Sequence, residues 1–137
     1  MPRTIRIAAA LIDDGQRRLL LVRKAGTEWF MQAGGKIEPG ESALVALRRE
    51  LREEIGLSWE ANRPAHYLGR FSAPAANEQD HMVEAELYHI RLAFLPIISA
   101  EIEEALWVTH EQANALKLAP LTRDCILPLS SVLMKSD

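Results

Sequence analysis

The sequence predicts an α/β domain. Short apolar runs punctuated by turn residues recur through the first and middle parts of the chain, at strand rather than helix length. Between them, Ser42 to Gly56 has the spacing of a single amphipathic helix, and a second apolar helical stretch closes the chain. Residues 5–12 and 19–22 are apolar and flank Asp13-Asp14-Gly15, which reads as two strands joined by a hairpin. Residues 29–31 form a third extended segment that runs into a glycine loop. Glu38-Pro39-Gly40-Glu41 has Pro and Gly at the centre of a type II turn, so the chain reverses before the helix. Ser42 is the expected N-cap, and Gly56 the left-handed C-cap. Residues 65–71 and 82–95 read as strands around a polar loop at 75–80. In the second of these, Met82, Glu84, Glu86, Tyr88 and Ile90 share one face. Residues 105–108 make a last short strand, and Thr109 or His110 opens a short helix through Leu116. Residues 121–134 form a closing helix that Pro128 interrupts or kinks.

Composition narrows the function. With 137 residues, 48% of them apolar and 26% charged, the chain is expected to be one globular domain spanning residues 1–137. A net charge of −3 gives no general attraction for a nucleic acid polymer. No apolar run approaches the ~18 residues a membrane helix needs, and the N-terminus lacks the pattern of a signal peptide. Cys125 is the single cysteine, which excludes an internal disulfide and fits a cytoplasmic location. It reads as a small apolar residue of the last helix rather than a reactive thiol. His66, His81, His89 and His110 show no ligand spacing and read as structural or surface residues.

The chemistry concentrates on the first helix. At about 100° per residue, Glu50, Glu53 and Glu54 fall within an arc of roughly 100°, with Arg49 at its margin. Leu44, Leu47, Leu51 and Ile55 form an adjacent apolar stripe that anchors the helix. Acids crowded this closely repel one another, and a divalent cation with a taste for hard oxygen ligands, Mg²⁺ or Mn²⁺, is their natural neutraliser.

These residues carry a resemblance. Residues 35–57 match the Nudix box: Gly35, five residues, Glu41, seven residues, Arg49-Glu50, an aliphatic, any residue, Glu53-Glu54, any residue, Gly56, an aliphatic. The chain thus resembles the Nudix hydrolases, which implies an α/β/α sandwich with a mixed sheet and metal-dependent cleavage of phosphoanhydrides. By that resemblance Glu50 and Glu54 ligate metal, the Gly35 carbonyl adds a ligand, and Arg49 aims a neighbouring glutamate. Glu53 is either a third ligand or the water-activating base. Glu41 either stabilises the helix start beside the Gly40 turn or touches metal. Some relatives recruit a glutamate from outside the helix; Glu101 falls where such a residue could, with Glu103 and Glu104 as rivals.

On the substrate side, Arg23, Lys24 and Lys36 are candidate phosphate contacts, Lys36 foremost because it adjoins Gly35. Trp29 and Phe30 either stack a nucleobase or belong to the core. The Gly-Gly-Lys-Ile-Glu run resembles the MutT branch, although Ala33 stands where that branch commonly has Pro. Pro74 falls near, but not at, the spacing that marks many ADP-ribose pyrophosphatases. The leading expectation is a hydrolase of a nucleoside diphosphate linked to another group, foremost a nucleoside triphosphate. An ADP-ribose or nucleotide-sugar pyrophosphatase comes next, and a non-catalytic nucleotide-sensing module or an interaction scaffold follows. The intact box argues against the last two. Homodimers are common among Nudix proteins, so the resemblance carries that expectation too.

Overall fold

A computed structural model describes residues 3–58 and 63–134. The described strands form one mixed seven-stranded sheet. Its spine is β1 (Arg3–Asp13), paired in parallel with β6 (His81–Arg91) from Arg3↔His81 to Asp13↔Arg91. On the outer side of β6 lies antiparallel β5 (His66–Pro74). On the other side of β1 runs β4 (Ala33–Lys36), antiparallel, from Ile7↔Lys36 to Ala10↔Ala33. β2 (Leu19–Lys24) pairs with β3 (Phe30–Met31) and with β7 (Ile102–Val108).

Strand alternation gives the sheet two apolar faces. Ala8, Ala10 and Ile12 of β1, with Leu20 and Val22, meet Ala46, Leu47, Leu51 and Ile55 of α1 (Ala43–Ile55). Ala9 and Leu11, with Leu19, Leu21 and Leu87, face the other way. They pack against Ala113 of α2 (His110–Asn114), Ile126 of a π-helical segment (Thr122–Ile126), and Leu127 of α3 (Leu127–Leu133). The result is the α/β/α sandwich that the resemblance implies.

The caps fall where the residue types put them. Ser42 Oγ accepts from Val45 N at 3.2 Å, and Gly56 (φ +68°) closes α1 through Gly56 N to Arg52 O and Leu57 N to Leu51 O, each 3.2 Å. A side chain on Gly56 would be strained by that φ and would meet Ile97 Cβ at 3.0 Å. Gly40 (φ +84°) completes the turn, with Glu41 N donating to Glu38 O at 3.0 Å. Thr109 caps α2, its side chain accepting from Gln112 N.

Three local expectations are corrected, and a fourth, the interruption of the closing helix at Pro128, is located more closely. The glycine loop is in part a strand, β4, which separates β1 from β2, so these two pair only at Asp13↔Leu19 rather than as a full hairpin. β6 ends at Arg91 rather than at Leu95. Past it the chain crosses the end of α1, where Ile97 N donates to Ile55 O (3.0 Å) and Ser99 N to Glu54 O (3.1 Å), supplying donors to carbonyls that a helix end leaves unpaired. β7 starts at Ile102, three residues before the expected point. The closing helix is irregular one turn before Pro128, because proline donates no hydrogen bond and crowds the carbonyl behind it; the π-helical segment absorbs the mismatch.

Candidate active site

Two glycines leave room on β4, Gly35 for the close approach of α1 and Gly34 for that of β1. A Cβ built on Gly35 would lie 2.1 Å from Glu50 Oε2, and one on Gly34 would lie 2.2 Å from the Ala8 carbonyl oxygen. Any side chain at Gly35 would therefore displace Glu50. Gly34 N donates to Glu54 Oε1 at 3.0 Å, which fixes that carboxylate against the strand.

Glu54 is 4% exposed. Burial pushes its carboxyl up to about 7; the Gly34 N–H and Lys24 oppose the rise, and the charges of Glu50 and Glu101 add to it. Glu50 is also raised, chiefly by burial, against the pull of Arg49, while Glu53 and Glu101 push it further up. Glu50, Glu54 and Glu101 thus feel one another's charge. Glu53 is largely exposed, with its nearest guanidinium contact 3.9 Å away at Arg49.

Arg49 ties this region together. Its Nε and Nη2 donate to both carboxylate oxygens of Glu41 at 2.8 Å, Nη1 to Glu50 Oε1 at 3.3 Å, and Nη2 to the Lys36 carbonyl at 3.0 Å. Glu41 also accepts from Glu38 N at 2.9 Å, and Arg49 holds its carboxyl down at about 2. Glu41 is therefore committed to joining the turn to the helix. Arg49 is correspondingly raised above its ordinary value.

The acids stand side by side but are held by Arg49 and by the Gly34 N–H. Among the described residues no three His, Cys, Asp or Glu groups are drawn round one point. The donor chemistry nonetheless fits a hard divalent cation: carboxylates that raise one another through repulsion, beside a glycine too small to block approach.

A cleft opens on the sheet face opposite α1. Gly34, Gly35, Lys24 and Lys36 line it, so the glycines that touch the acids also form its wall. Ile5, Ile7, Val83 and Leu121 supply apolar lining, and Gln32 and Thr122 a polar pair. The loop at 74–78 borders it. Other substrate-side candidates lie elsewhere. Arg23 is paired with Glu104 (Nη2 to Oε1, 2.7 Å) and the Thr27 carbonyl (2.7 Å), and lies over the Phe30 ring. Phe30 is 7% exposed, inside the core. Trp29 sits beneath Lys117, which is itself paired with Glu28. Of the rivals to Glu101, Glu104 is occupied by Arg23. Lys24 acts on both Glu50 and Glu54 through its charge, so the strand-end base at this site is Lys24 rather than Arg23. Cys125 is half-buried against the core, and burial raises its thiol. His89 is buried against Asp13, which Arg91 also holds at 3.0 Å. The spacing in sequence gives no hint of Gln32 or Thr122; the one available signal is a polar residue inside the otherwise apolar run Phe30-Met31-Gln32-Ala33.

An α/β/α sandwich with clustered helical glutamates on one side of a glycine pair, and a cleft lined by lysines on the other, defines a class of phosphoanhydride hydrolases. Comparison with known proteins agrees: the profile of the NUDIX domain matches residues 2–129. A nucleoside triphosphatase, NudI, of Enterobacter sp. (strain 638) is 35% identical over 70% of this chain and 72% of its own. A CTP pyrophosphohydrolase of Escherichia coli (strain K12) is 32% identical over 85% and 84%. The crystal structure of a MutT protein from Methanosarcina mazei Go1 superposes with a TM-score of 0.77 over 98% of both chains, at 20% identity, and so shares the fold. The chain belongs to the Nudix family and is a Nudix hydrolase, a pyrophosphohydrolase in the family's general sense. Nudix hydrolases generally use divalent metals. No helix of the described residues is long and apolar enough to cross a membrane.

Proposed function

We propose that the protein is a Mg²⁺-dependent pyrophosphohydrolase, with Mn²⁺ as a substitute, acting on a nucleoside diphosphate linked to another group, foremost a nucleoside triphosphate. One observation carries the reading: the glycine pair that touches Glu50 and Glu54 also walls a cleft with Lys24 and Lys36 on its rim and apolar residues within. The names of the two curated relatives, a nucleoside triphosphatase and a CTP pyrophosphohydrolase, support the same substrate class.

In this reading Glu50, Glu54 and the Gly35 carbonyl hold the cation, and Glu101 assists. The cation, when bound, supplies charge neutralisation for the diphosphate and acidifies the attacking water. Glu53 either completes the ligand set or takes the proton of that water; its exposed carboxylate suits the second role. Arg49 positions Glu50 and anchors the Lys36 carbonyl, which keeps the loop beside the helix. Lys24 and Lys36 contact phosphate oxygens. The apolar lining of the cleft receives the base.

The test is a panel of nucleoside triphosphates, ADP-ribose and nucleotide sugars, incubated with the protein in Mg²⁺, Mn²⁺ or EDTA and scored by product mass. Metal-dependent release of phosphate or pyrophosphate from a nucleotide supports the reading. Turnover that persists in EDTA, or no turnover on the whole panel, overturns it.

A further inference from the structure

Gln32 lies between β3 and β4 and is 7% exposed, yet it lines the cleft. Its Oε1 accepts a hydrogen bond from Thr122 Oγ1 at 2.7 Å. Thr122 is itself fully buried, begins the π-helical segment, and lines the same cleft. That bond holds the Oε1 end of the amide. The other end of the amide, Nε2, is buried and has no hydrogen-bond partner among the described residues. Buried polar groups are nearly always paired, and an amide donor left alone is costly. The apolar lining of the cleft, Ile5, Ile7, Val83 and Leu121, carries no side-chain acceptor, and Asn77 and Glu78 on its loop border do not bond the amide. A polar group that the fold has oriented at one end and left unmatched at the other suits an acceptor brought by the substrate.

We infer that Gln32 is a specificity-determining residue which donates Nε2–H to a carbonyl oxygen of the substrate's base, with Thr122 as its positioning residue. This rests on the proposed function above. Guanine, cytosine, uracil and thymine each carry a ring carbonyl. Adenine carries none, and turns an amino donor where guanine has an oxygen. Adenine's own acceptors are ring nitrogens, set back from the positions of those oxygens, so a donor aimed at an exocyclic oxygen favours the first four bases over adenine.

The experiment compares kcat and KM for ATP, GTP, CTP and UTP across wild type, Gln32→Met, Gln32→Glu and Thr122→Val, with thermal melting to verify folding. In wild type, ATP is expected to have a kcat/KM roughly tenfold or more below the carbonyl-bearing nucleotides, as an unpaired buried donor would dictate. Gln32→Met keeps the volume and removes the amide; it levels the ranking through KM while kcat holds within about twofold of wild type. Gln32→Glu supplies only acceptors when ionised and shifts the ranking toward ATP. Thr122→Val frees the amide and weakens the ranking part-way, again in KM. A wild type that does not disfavour ATP, or a folded, active Gln32→Met with an unchanged ranking, overturns the assignment of Gln32 alone. A wild type that cleaves none of the nucleotides overturns the parent reading, and this inference falls with it.

Discussion

Two glutamates, Glu54 on α1 and Glu86 on β6, are almost equally hidden, at 4% and 6% exposure, and yet their acidities move in opposite directions. Glu54 is raised to about 7 because burial is opposed by little more than the Gly34 N–H and a lysine, with further acids nearby. Glu86 is lowered because Tyr67 donates to it at 2.6 Å, and Arg70 (3.0 Å) and Arg6 (3.5 Å) approach its other oxygen. Glu84 shares the same two arginines. Burial alone therefore does not mark a functional acid. Two things separate the clusters: desolvation is the largest influence on Glu54 and a secondary one on Glu86, and the fold neutralises the acids of β6 itself while leaving those of α1 short of positive charge.

The contrast breaks most visibly in catalysis. Glu53→Gln or Glu54→Gln is expected to lower kcat by roughly a hundredfold to ten-thousandfold with the fold retained, whereas Glu84→Gln leaves kcat within about twofold. Steady-state kinetics in Mg²⁺ decides it. Full activity in either α1 variant would remove the acids from the mechanism.

The same substitution sharpens the comparison in stability. Glu54 binds its proton more tightly folded, at about 7, than unfolded, near 4.5. Between those values the native state holds the extra proton, so wild-type stability falls as pH rises from about 4.5 to 7 and then levels off. Glu54→Gln cannot lose that proton. In EDTA it should match wild type near pH 4 and exceed it at pH 8 by at most about 3 kcal/mol in urea unfolding. Mg²⁺ should narrow the gap by stabilising wild type. A variant no more stable than wild type at pH 8 would mean that Glu54 carries no unrelieved charge.

A smaller effect is expected at Arg49, the residue that links both acids and loop. Arg49→Gln releases Glu41, Glu50 and the Lys36 carbonyl together. A positioning role predicts a loss of about ten- to a hundredfold in kcat. Arg49→Lys should recover little, since one ammonium cannot reproduce the two parallel bonds to Glu41. Rescue to wild-type rates by lysine would reduce the role to bulk charge.

Why the acids of α1 were legible and the residues on the substrate side were not is a matter of sequence distance. Gly35, Arg49, Glu50, Glu53 and Glu54 lie within two dozen residues, and helix periodicity alone brings the last four to one face. The caps at Ser42 and Gly56 are local for the same reason. Arg23 looked like a free strand-end base because its partner, Glu104, arrives 81 residues later on β7. Phe30 could have stacked a base; its burial depends on helices from the far end of the chain. Gln32 and Thr122 meet across 90 residues, and no spacing rule anticipates such a pair. The end of β6 was likewise set from outside, because its partner β1 stops at Asp13, whose carbonyl accepts the last bond from Leu92 N. Periodicity reads what one element presents, while tertiary pairing decides what remains available.

The mildest prediction is the mirror image of the second. Glu86 is more acidic folded than unfolded, so its contribution is fully present above the unfolded carboxylate range and is lost as pH falls through the folded value. Glu86→Gln keeps an acceptor for Tyr67 but loses its charge toward Arg6 and Arg70, whose side chains are 54% and 57% exposed and so partly screened by water. A loss of about 1 kcal/mol at pH 8, or about 3 °C in melting temperature, is expected, closing toward zero in acid, with kcat unchanged. One amide substitution at two equally buried glutamates would then stabilise the protein on α1 and destabilise it on β6. If both variants moved in the same direction at pH 8, burial rather than charge balance would govern the pair, and the distinction between a binding acid and a structural one would fail at its root.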